Sequence, residues 1–380
     1  MSIVFNNEQA VQRKNVPFRN DIVGSFLRPA NLKEARTQFQ NNEITAEQLR
    51  SIEDEEITKL VQKQKEVGLK AVTDGEFRRS WWHLDFFWGF EGVTKKVLGE
   101  GYLFHGVETR AETAYASGKI KYANHPHLDD FKFLKRVAGD DVIARQTIPS
   151  PAQLFLELNR NEENRAELAK VYSDNNELVA DVAKAYRDAI LAFYEAGCRN
   201  LQLDDCTWGM LCDTKFTEAQ GIDTAVVAKL YAHLNNEAIK DLPEDLTITM
   251  HVCRGNFKST WAGSGGYEPI AEVLFGTVNV DAFYLEFDTD RAGDFSPLRH
   301  VPANKQVVLG LFSSKIGELE NKETILKRIE EATEFLNINQ ICLSPQCGFA
   351  STEEGNILTE QQQWDKLRFI KEIADEVWHS

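Results

Sequence analysis

A histidine and a cysteine at the end of an apolar run are the first residues whose types and spacing could do chemistry. His251 and Cys253 are separated by one residue in a β-branched segment that breaks at Gly255. Side chains alternate between the two faces of a strand, so the imidazole and the thiol point the same way. Together they supply half of a tetrahedral zinc site. The pair alone is weak evidence, because a buried histidine beside an inert cysteine is the more common arrangement.

Two further residues at strand ends complete such a site. Glu286 closes an apolar strand, where a carboxylate is costly unless it is paired or binds a metal. Cys347 follows another apolar strand, and Gly348 allows a tight backbone turn there. With His251 and Cys253 they predict a zinc site of two thiols, one imidazole and one carboxylate. The alternative is a set of unrelated buried thiols and a salt-bridged glutamate.

Eight short apolar segments, most of them followed by a helical pattern, must position these residues. The predicted strands are residues 21–27, 71–76, 142–148, 200–205, 246–253, 280–286, 306–312 and 340–344. This alternation predicts an α/β fold, a (β/α)₈ TIM barrel, whose strands are apolar throughout because helices cover them. A doubly wound open sheet is the alternative. It is less favoured because no glycine-rich dinucleotide fingerprint or phosphate-binding loop follows any strand.

Helical patterns connect most of these strands, and one region interrupts them. The segment Thr45-Ala46-Glu47-Gln48 predicts a helix N-terminus. The later predicted helices are residues 167–195, about 222–240, 270–275, about 322–336 and 361–377. Residues about 93–140 break the alternation, and we predict that they form an inserted hairpin and loop over one end of the domain. The whole chain, residues 1–380, is predicted to be a single barrel domain with this insertion.

Composition restricts the classes of partner. The chain has 380 residues and a formal net charge of -16, which argues against nucleic acid and anionic membrane surfaces, because both select basic patches. The sequence lacks a signal-peptide pattern and a transmembrane-length apolar run. Six cysteines scattered along the chain fit a reducing compartment better than a disulfide framework. We therefore predict a cytoplasmic protein that acts on small molecules.

Other strand ends also carry residues that could bind a ligand. In a (β/α)₈ barrel the active site lies where strands end and loops begin. These ends bring Gly24-Ser25, Asp74-Gly75-Glu76 and Asp204-Asp205 to the same face as the predicted zinc ligands.

Taken together, these motifs resemble the catalytic C-terminal barrel of the cobalamin-independent methionine synthase family. The matching motifs are Val23-Gly24-Ser25-Phe26, Asp74-Gly75-Glu76, Leu201-Gln202-Leu203-Asp204-Asp205, His251-Val252-Cys253, the strand ending in Glu286, and Pro345-Gln346-Cys347-Gly348. They span nearly the whole chain in the family's order. The chain looks like a short form without the separate N-terminal barrel of the long enzymes.

The resemblance implies a role for each matching residue. His251, Cys253, Glu286 and Cys347 would bind Zn²⁺, which lowers the pKa of a bound thiol. Asp204 and Glu76 would hold the ammonium group of a homocysteine-like amino acid, and the Gly24-Ser25 backbone its carboxylate. The implied reaction is methyl transfer to the thiol of homocysteine, giving methionine, with 5-methyltetrahydrofolate, as its polyglutamate, as donor.

The sequence departs from the family where the methyl donor binds. Lys315 stands at the position of the histidine that the long enzymes use as proton donor, and it could serve as an acid or only as a positive charge. The family's arginine-cysteine pair has no match in residues 117–120, and its stacking tryptophan none in residues 151–155. A glutamate of the family is replaced near Met210.

Four hypotheses therefore compete. The first is the zinc-dependent folate enzyme, and the second keeps the zinc-thiol site but takes the methyl group from a methylated corrinoid protein or another small methyl compound. The third is a metal-free barrel enzyme similar to uroporphyrinogen decarboxylase. The fourth is a binding protein or a closed structural zinc site. In each case the chain could form a homo-oligomer, with the inserted segment covering the site or contacting a neighbouring subunit.

Overall fold

A curled parallel sheet forms the centre of the protein. The computed structural model describes residues 10–379. The strands in this range are β1 (Ala71–Val72), β2 (Glu91–Val97), β3 (Leu103–Phe104), β4 (Val107–Glu108), β5 (Glu112–Lys121), β6 (Ile143–Pro149), β7 (Asn200–Asp205), β8 (Thr247–Val252), β9 (Ala282–Glu286), β10 (Gln306–Phe312) and β11 (Ile341–Pro345). Seven of them form one sheet in the order β1-β6-β7-β8-β9-β10-β11, and all neighbouring pairs are parallel.

The order of strands decides between the two predicted architectures. Strand order follows chain order without a reversal, so the sheet has no switch point and the doubly wound alternative is wrong. All residues of β7 and β9 are buried, as expected of barrel strands that helices cover. The predicted α/β barrel fold is therefore confirmed.

The predicted first strand, residues 21–27, is the exception, because it does not form a regular strand. The start of this segment meets β11, where Asp21 N donates to Leu343 O at 2.8 Å and Leu343 N to Arg19 O at 2.9 Å. Over residues 22–24 side chains, not a neighbouring backbone, satisfy the carbonyl groups. The donors are Arg145 to Ile22 O, Gln202 to Val23 O and Thr73 to Gly24 O. The segment thus closes the gap between β11 and β1 without a complete ladder.

Helices cover the outside of the sheet. They are α1 (Ala30–Gln40), α2 (Ala46–Glu66), α3 (Leu84–Phe87), α4 (His127–Ala138), α5 (Pro151–Leu158), α6 (Glu162–Val171), α7 (Asn175–Glu195), α8 (Thr207–Leu211), α9 (Thr214–Ala219), α10 (Thr224–Ile239), α11 (Ala271–Thr277), α12 (Lys322–Ala332) and α13 (Glu360–Trp378), with 3₁₀ turns at Asp290–Ala292, Ser296–His300 and Ile338–Gln340. The predicted cap at Thr45 is confirmed as a reciprocal capping box with Gln48. Among the described residues, no helix is long and apolar enough to cross a membrane.

Two helix predictions need correction. The helix predicted over residues 167–195 is two helices, because Asp174 accepts a hydrogen bond from Asn176 N and starts α7 as a new N-cap. The helix predicted to reach about residue 336 ends at Ala332.

The region of the predicted insertion contains an antiparallel hairpin. Strands β2 and β5 pair along most of their length, and the short β3-β4 hairpin lies between them. The end of the predicted range, α4, is not part of an insertion. This helix packs against β6, α2 and α7 as a barrel helix. The hairpin reaches the loop after β8, where His105 stacks on Trp261 and Phe104 contacts Phe257.

Candidate metal centre and substrate cavity

Four side chains from three strand ends meet at one point. The ligand atoms of His251, Cys253, Glu286 and Cys347 all lie within 4.8 Å of one another, and all four residues are buried. The two thiol sulfurs are 3.7 Å apart, and both cysteines are free. The structure therefore brings together the complete set that the sequence predicted as zinc ligands.

Strand register explains this convergence. His251 is opposite Tyr284 in the pairing of β8 with β9, and Glu286 is opposite Gly310 in the pairing of β9 with β10. Cys253 N continues the ladder beyond β8 by donating to Asp205 O at 2.8 Å. Parallel strands in register place their carboxyl ends at one edge, so these side chains share the same mouth of the barrel.

The histidine is oriented for a metal. Its Nδ1 donates to the carbonyl of Tyr284 at 3.3 Å, and its Nε2 is buried without a hydrogen-bond partner. A backbone carbonyl can only accept, so Nδ1 carries a proton and Nε2 is the ring nitrogen left for a metal. This is the arrangement in which metal-binding histidines are usually fixed.

The two thiols need a cation to ionise. The pKa of Cys253 is raised well above its ordinary value by its hydrogen-bonding contact with the thiol of Cys206 and by burial. The pKa of Cys347 is raised likewise, by its hydrogen bond with Cys253 and by burial. Gly255 N donates to the sulfur of Cys253 at 3.2 Å. A divalent cation between these sulfurs would favour the thiolates, as zinc does at cysteine sites.

The carboxylate is already ionised. Burial alone would raise the pKa of Glu286, but the charges of Lys315, Arg254 and Arg291 outweigh burial and lower it. Its Oε1 accepts from Arg254 N at 2.9 Å, and its Oε2 from Arg291 at 3.3 Å. The donor set of two thiols, an unpartnered imidazole nitrogen and an ionised carboxylate fits zinc.

A second group of predicted residues lies beside the thiols. Ser25, Glu76 and Asp204 line the same cavity as His251 and Cys253. Gly24 lies next to Ser25 with φ +146°, and a Cβ there would be 2.8 Å from a methyl group of Thr147. Glycine at this position lets the chain pass close to β6.

Glu76 lies close enough to Asp204 for its charge to affect the ionisation of Asp204. Burial raises the pKa of Asp204 well above its ordinary value, and the charge of Glu76 adds to the effect. Burial also raises the pKa of Glu76, whose Oε2 has no hydrogen-bond partner. Two buried carboxyl groups of this kind favour a bound cation, because a positive charge between them would restore both carboxylates.

Lys315 lies close enough to the cluster for its charge to act there. It is buried, its ammonium has no hydrogen-bond partner, and it is not one of the described residues that line the cavity. Its charge acts on Glu286, whose pKa it lowers. The structure thus brings Lys315 to the carboxylate of the cluster and not to the open space beside the thiols.

The cavity extends beyond these residues, with a volume of about 620 Å³. Its farther walls are mainly apolar and aromatic: Trp81, Trp82, Tyr102, Leu103, Phe104, Met210, Leu211, Phe216, Tyr231 and Phe257. The hairpin supplies three of these residues, so it forms part of the wall. A flat ligand would find aromatic faces here.

Sequence reasoning missed a polar cluster in this wall. Tyr102 Oη donates to Glu157 at 2.7 Å and lies 3.2 Å from His83 Nε2, while the guanidinium of Arg160 stacks on the Tyr102 ring at 3.6 Å. Cys206, whose thiol contacts that of Cys253, also lines the cavity and was not predicted as a site residue. The sequence held no signal for this cluster, because the hairpin carries Tyr102 across to α5 and its C-terminal turn only in the folded chain.

Comparison with known proteins places these features in a family context. The family described as "Cobalamin-independent synthase, Catalytic domain" matches residues 18–87 and 168–374. The uncharacterized protein YxjH of Bacillus subtilis is 50% identical over 375 residues, covering 98% of this chain and 97% of its own.

Solved structures give the same picture. A provisionally assigned vitamin B12-independent methionine synthase from Listeria monocytogenes is 41% identical, with a TM-score of 0.76, covering 96% of this chain and 99% of its own. A B12-independent methionine synthase from Shewanella sp. W3-18-1, in complex with selenomethionine, shares the fold at 18% identity, with a TM-score of 0.70 and coverage of 94% and 97%.

Proposed function

The chain belongs to the cobalamin-independent methionine synthase family and is a methyltransferase, and from this premise we propose that it methylates homocysteine to methionine at a zinc centre. The proposed ligands are His251, Cys253, Glu286 and Cys347. The observation that carries the proposal is that the two thiols line the same cavity as Glu76 and Asp204. A site for a cationic amino acid group thus lies beside a site for a thiol-activating metal.

The acceptor is proposed to bind by its two ends. Glu76 and Asp204 bind the ammonium group, which supplies the positive charge that their raised pKa values favour. The backbone at Gly24-Ser25 binds the carboxylate. Fixing both ends of the amino acid directs its thiol toward Cys253 and Cys347, and such orientation lowers the entropic part of the barrier.

Each residue of the metal centre has its own part in this proposal. Zinc, when bound, would supply a Lewis acid that keeps the substrate thiol deprotonated at neutral pH. His251 holds its Nε2 lone pair in place through the hydrogen bond to Tyr284. Lys315 acts as a buried positive charge on Glu286, which is the role its position favours over that of a proton donor.

The methyl donor occupies the aromatic part of the cavity on this proposal. The family resemblance makes 5-methyltetrahydrofolate the first candidate, and the walls around Trp82, Tyr102 and Phe257 suit a flat ring. A methylated corrinoid protein or another small methyl compound remains the alternative. The metal-free decarboxylase hypothesis loses its support, because the chain belongs to a different family.

The setting of the reaction is also part of the proposal. All six cysteines are free, which fits the reducing cytoplasm that we propose as the location. The proposed substrates are small molecules, and self-association of the chain stays a prediction.

The experiment that tests this function measures bound zinc and the proton released on adding homocysteine. The wild type is expected to hold about one zinc per chain, as one four-ligand site requires, and to release a proton when the substrate thiol ionises. Cys347→Ser should lose most of its zinc and release no proton. Cys198→Ser is the matched control, because Cys198 is buried elsewhere, bonded to Asn200 O. A wild-type protein without tightly bound zinc would refute the proposal.

A further inference from the structure

The carboxylate of the metal centre is held by an arginine that no motif includes. Arg291, in the 3₁₀ turn after β9, places its NH2 group 3.3 Å from Glu286 Oε2. The side chain of Arg291 is 10% exposed and that of Glu286 is fully buried. The guanidinium also lies over the ring of Trp261, 4.9 Å from its centroid. The arginine is therefore confined beside the carboxylate and is not a mobile surface group.

A second carboxylate competes for the same arginine. Asp288 Oδ1 lies 3.5 Å from Arg291 NH2, and the aspartate side chain is 1% exposed. Neither oxygen of Asp288 has a hydrogen-bond partner, so Arg291 is its direct ion-pair partner, and the charge of Arg328 also acts on it. An uncompensated buried carboxylate is costly. One guanidinium nitrogen is thus shared between a predicted metal ligand and a residue outside the ligand set.

We propose that Arg291 and Asp288 form a positioning pair that sets how strongly Glu286 binds the metal. The inference rests on the proposed zinc centre and adds to it two residues that would not touch the metal. Arg291 withdraws electron density from Glu286 Oε2 and holds this oxygen in a fixed position. Both effects weaken the carboxylate as a metal ligand. Asp288 attracts the guanidinium of Arg291 away from Glu286, and this restores the strength of Glu286 as a metal ligand.

The chemistry of the pair gives opposite signs for its two members. Removing the guanidinium frees Oε2 of Glu286 and removes a positive charge, so metal affinity should rise. Removing the charge of Asp288 leaves Arg291 to Glu286 alone, so metal affinity should fall. Outer-shell partners of metal ligands typically change metal affinity by about 10- to 100-fold. A merely structural role would instead lower the affinity in both variants, because any loosening of Glu286 weakens the site.

The test is the zinc dissociation constant of the purified full chain, measured by competition with a chromophoric chelator. Arg291→Met should bind zinc about tenfold more tightly than wild type and Asp288→Asn about tenfold more weakly, within the range for outer-shell partners. Arg291→Lys, which keeps the charge, should stay within about threefold of wild type, as expected if charge carries most of the effect. Arg299→Met is the control, since Arg299 pairs with Glu268 at the exposed surface and should change nothing.

The outcomes separate the inference from the function on which it rests. Changes in the same direction in Arg291→Met and Asp288→Asn, or no change in either, would overturn the positioning pair while leaving the zinc centre intact. A wild type that binds no zinc would overturn both. Thermal unfolding of each variant identifies misfolding, and if Arg291→Met does not fold, Arg291→Gln takes its place, because it also removes the positive charge and should bind zinc more tightly than wild type.

Discussion

The thiol sulfurs of Cys253 and Cys347 lie 3.7 Å apart although 94 positions separate the residues in the sequence. No disulfide joins them, and a third thiol, that of Cys206, contacts Cys253. Burial and these contacts hold both cysteines protonated in the absence of a cation. The pair therefore gains most from a metal, and it is the first target for a test of individual ligands.

Cys253→Ser should remove zinc, whereas Cys206→Ser should retain it. Serine offers a hard, weakly acidic hydroxyl where the metal prefers a thiolate, so occupancy of Cys253→Ser should fall to about a tenth or less of wild type. Cys206 lies outside the group of four ligand atoms, so its hydroxyl substitute should leave occupancy unchanged. Elemental analysis after dialysis against a weak chelator measures both. Equal loss in the two variants would show that Cys206 is a ligand too.

Asp204→Asn should weaken homocysteine binding and leave zinc in place. The carboxylate is proposed to bind the substrate ammonium, and a hydrogen bond to a charged group contributes about 1.5–3 kcal/mol, roughly 10- to 150-fold in binding. Calorimetric titration of the zinc-loaded protein with homocysteine measures the change.

The deamino analogue of homocysteine, which lacks the ammonium group, is the control ligand for Asp204→Asn. Wild type should bind this analogue more weakly than homocysteine, and Asp204→Asn should bind it no more weakly than wild type does. If the variant also weakened the analogue, Asp204 would act on the thiol or on the fold rather than on the ammonium group.

Most of the barrel and the whole metal cluster could be predicted from sequence, because both depend on local patterns. Apolar runs in the sequence predicted β6 to β11. His251 and Glu286 were found as the polar residues at the ends of two of these runs. Residues 21–27 failed as a strand because the carbonyl groups of residues 22–24 bond to the side chains of Arg145, Gln202 and Thr73 instead of to a neighbouring strand. The wall formed by Tyr102 and Arg160 was missed for the same reason, since tertiary contacts alone bring them together.

Asp204 should also make the metal-free protein less stable as pH rises. Its pKa is raised well above the ordinary value of 3.8 in the folded state, so the folded protein binds more protons than the unfolded chain above that pH. Stability then falls with rising pH, between the ordinary pKa and the raised one. Asp204→Asn lacks this contribution.

Chemical denaturation at several pH values measures the effect as the difference between wild type and Asp204→Asn. The stability of wild type relative to Asp204→Asn should be lowest at the high-pH end of that window. Bound homocysteine should reduce this pH dependence. A difference independent of pH would mean that Asp204 is ionised in the folded protein without its ligand.

Tyr102→Phe should weaken binding of the methyl donor more than binding of homocysteine and should leave zinc in place. The hydroxyl of Tyr102 donates to Glu157 at 2.7 Å, and Glu157 is 2% exposed. Its loss leaves a buried carboxyl oxygen without this donor, at a cost of about 1–3 kcal/mol in unfolding free energy. Because the bond to Glu157 also holds in place the ring that lines the aromatic part of the cavity, its loss should raise the KM of the donor more than that of homocysteine. Equal effects on the two KM values would place Tyr102 outside the donor site.

Gly348→Ala should disturb the metal centre and the amino acid site together, because it introduces a steric clash between them. A Cβ at Gly348 would lie 1.9 Å from Ser25 Oγ, which no real pair of atoms tolerates, so Ser25 or the turn carrying Cys347 must move. Strain of this kind typically costs about 1–3 kcal/mol. We expect weaker zinc binding together with weaker homocysteine binding, each measured by titration. Gly99→Ala is the matched control, since a Cβ there meets nothing within 4 Å. If Gly348→Ala left both affinities unchanged, the close packing of Ser25 on Gly348 would have no part in holding Cys347 and the substrate carboxylate in register.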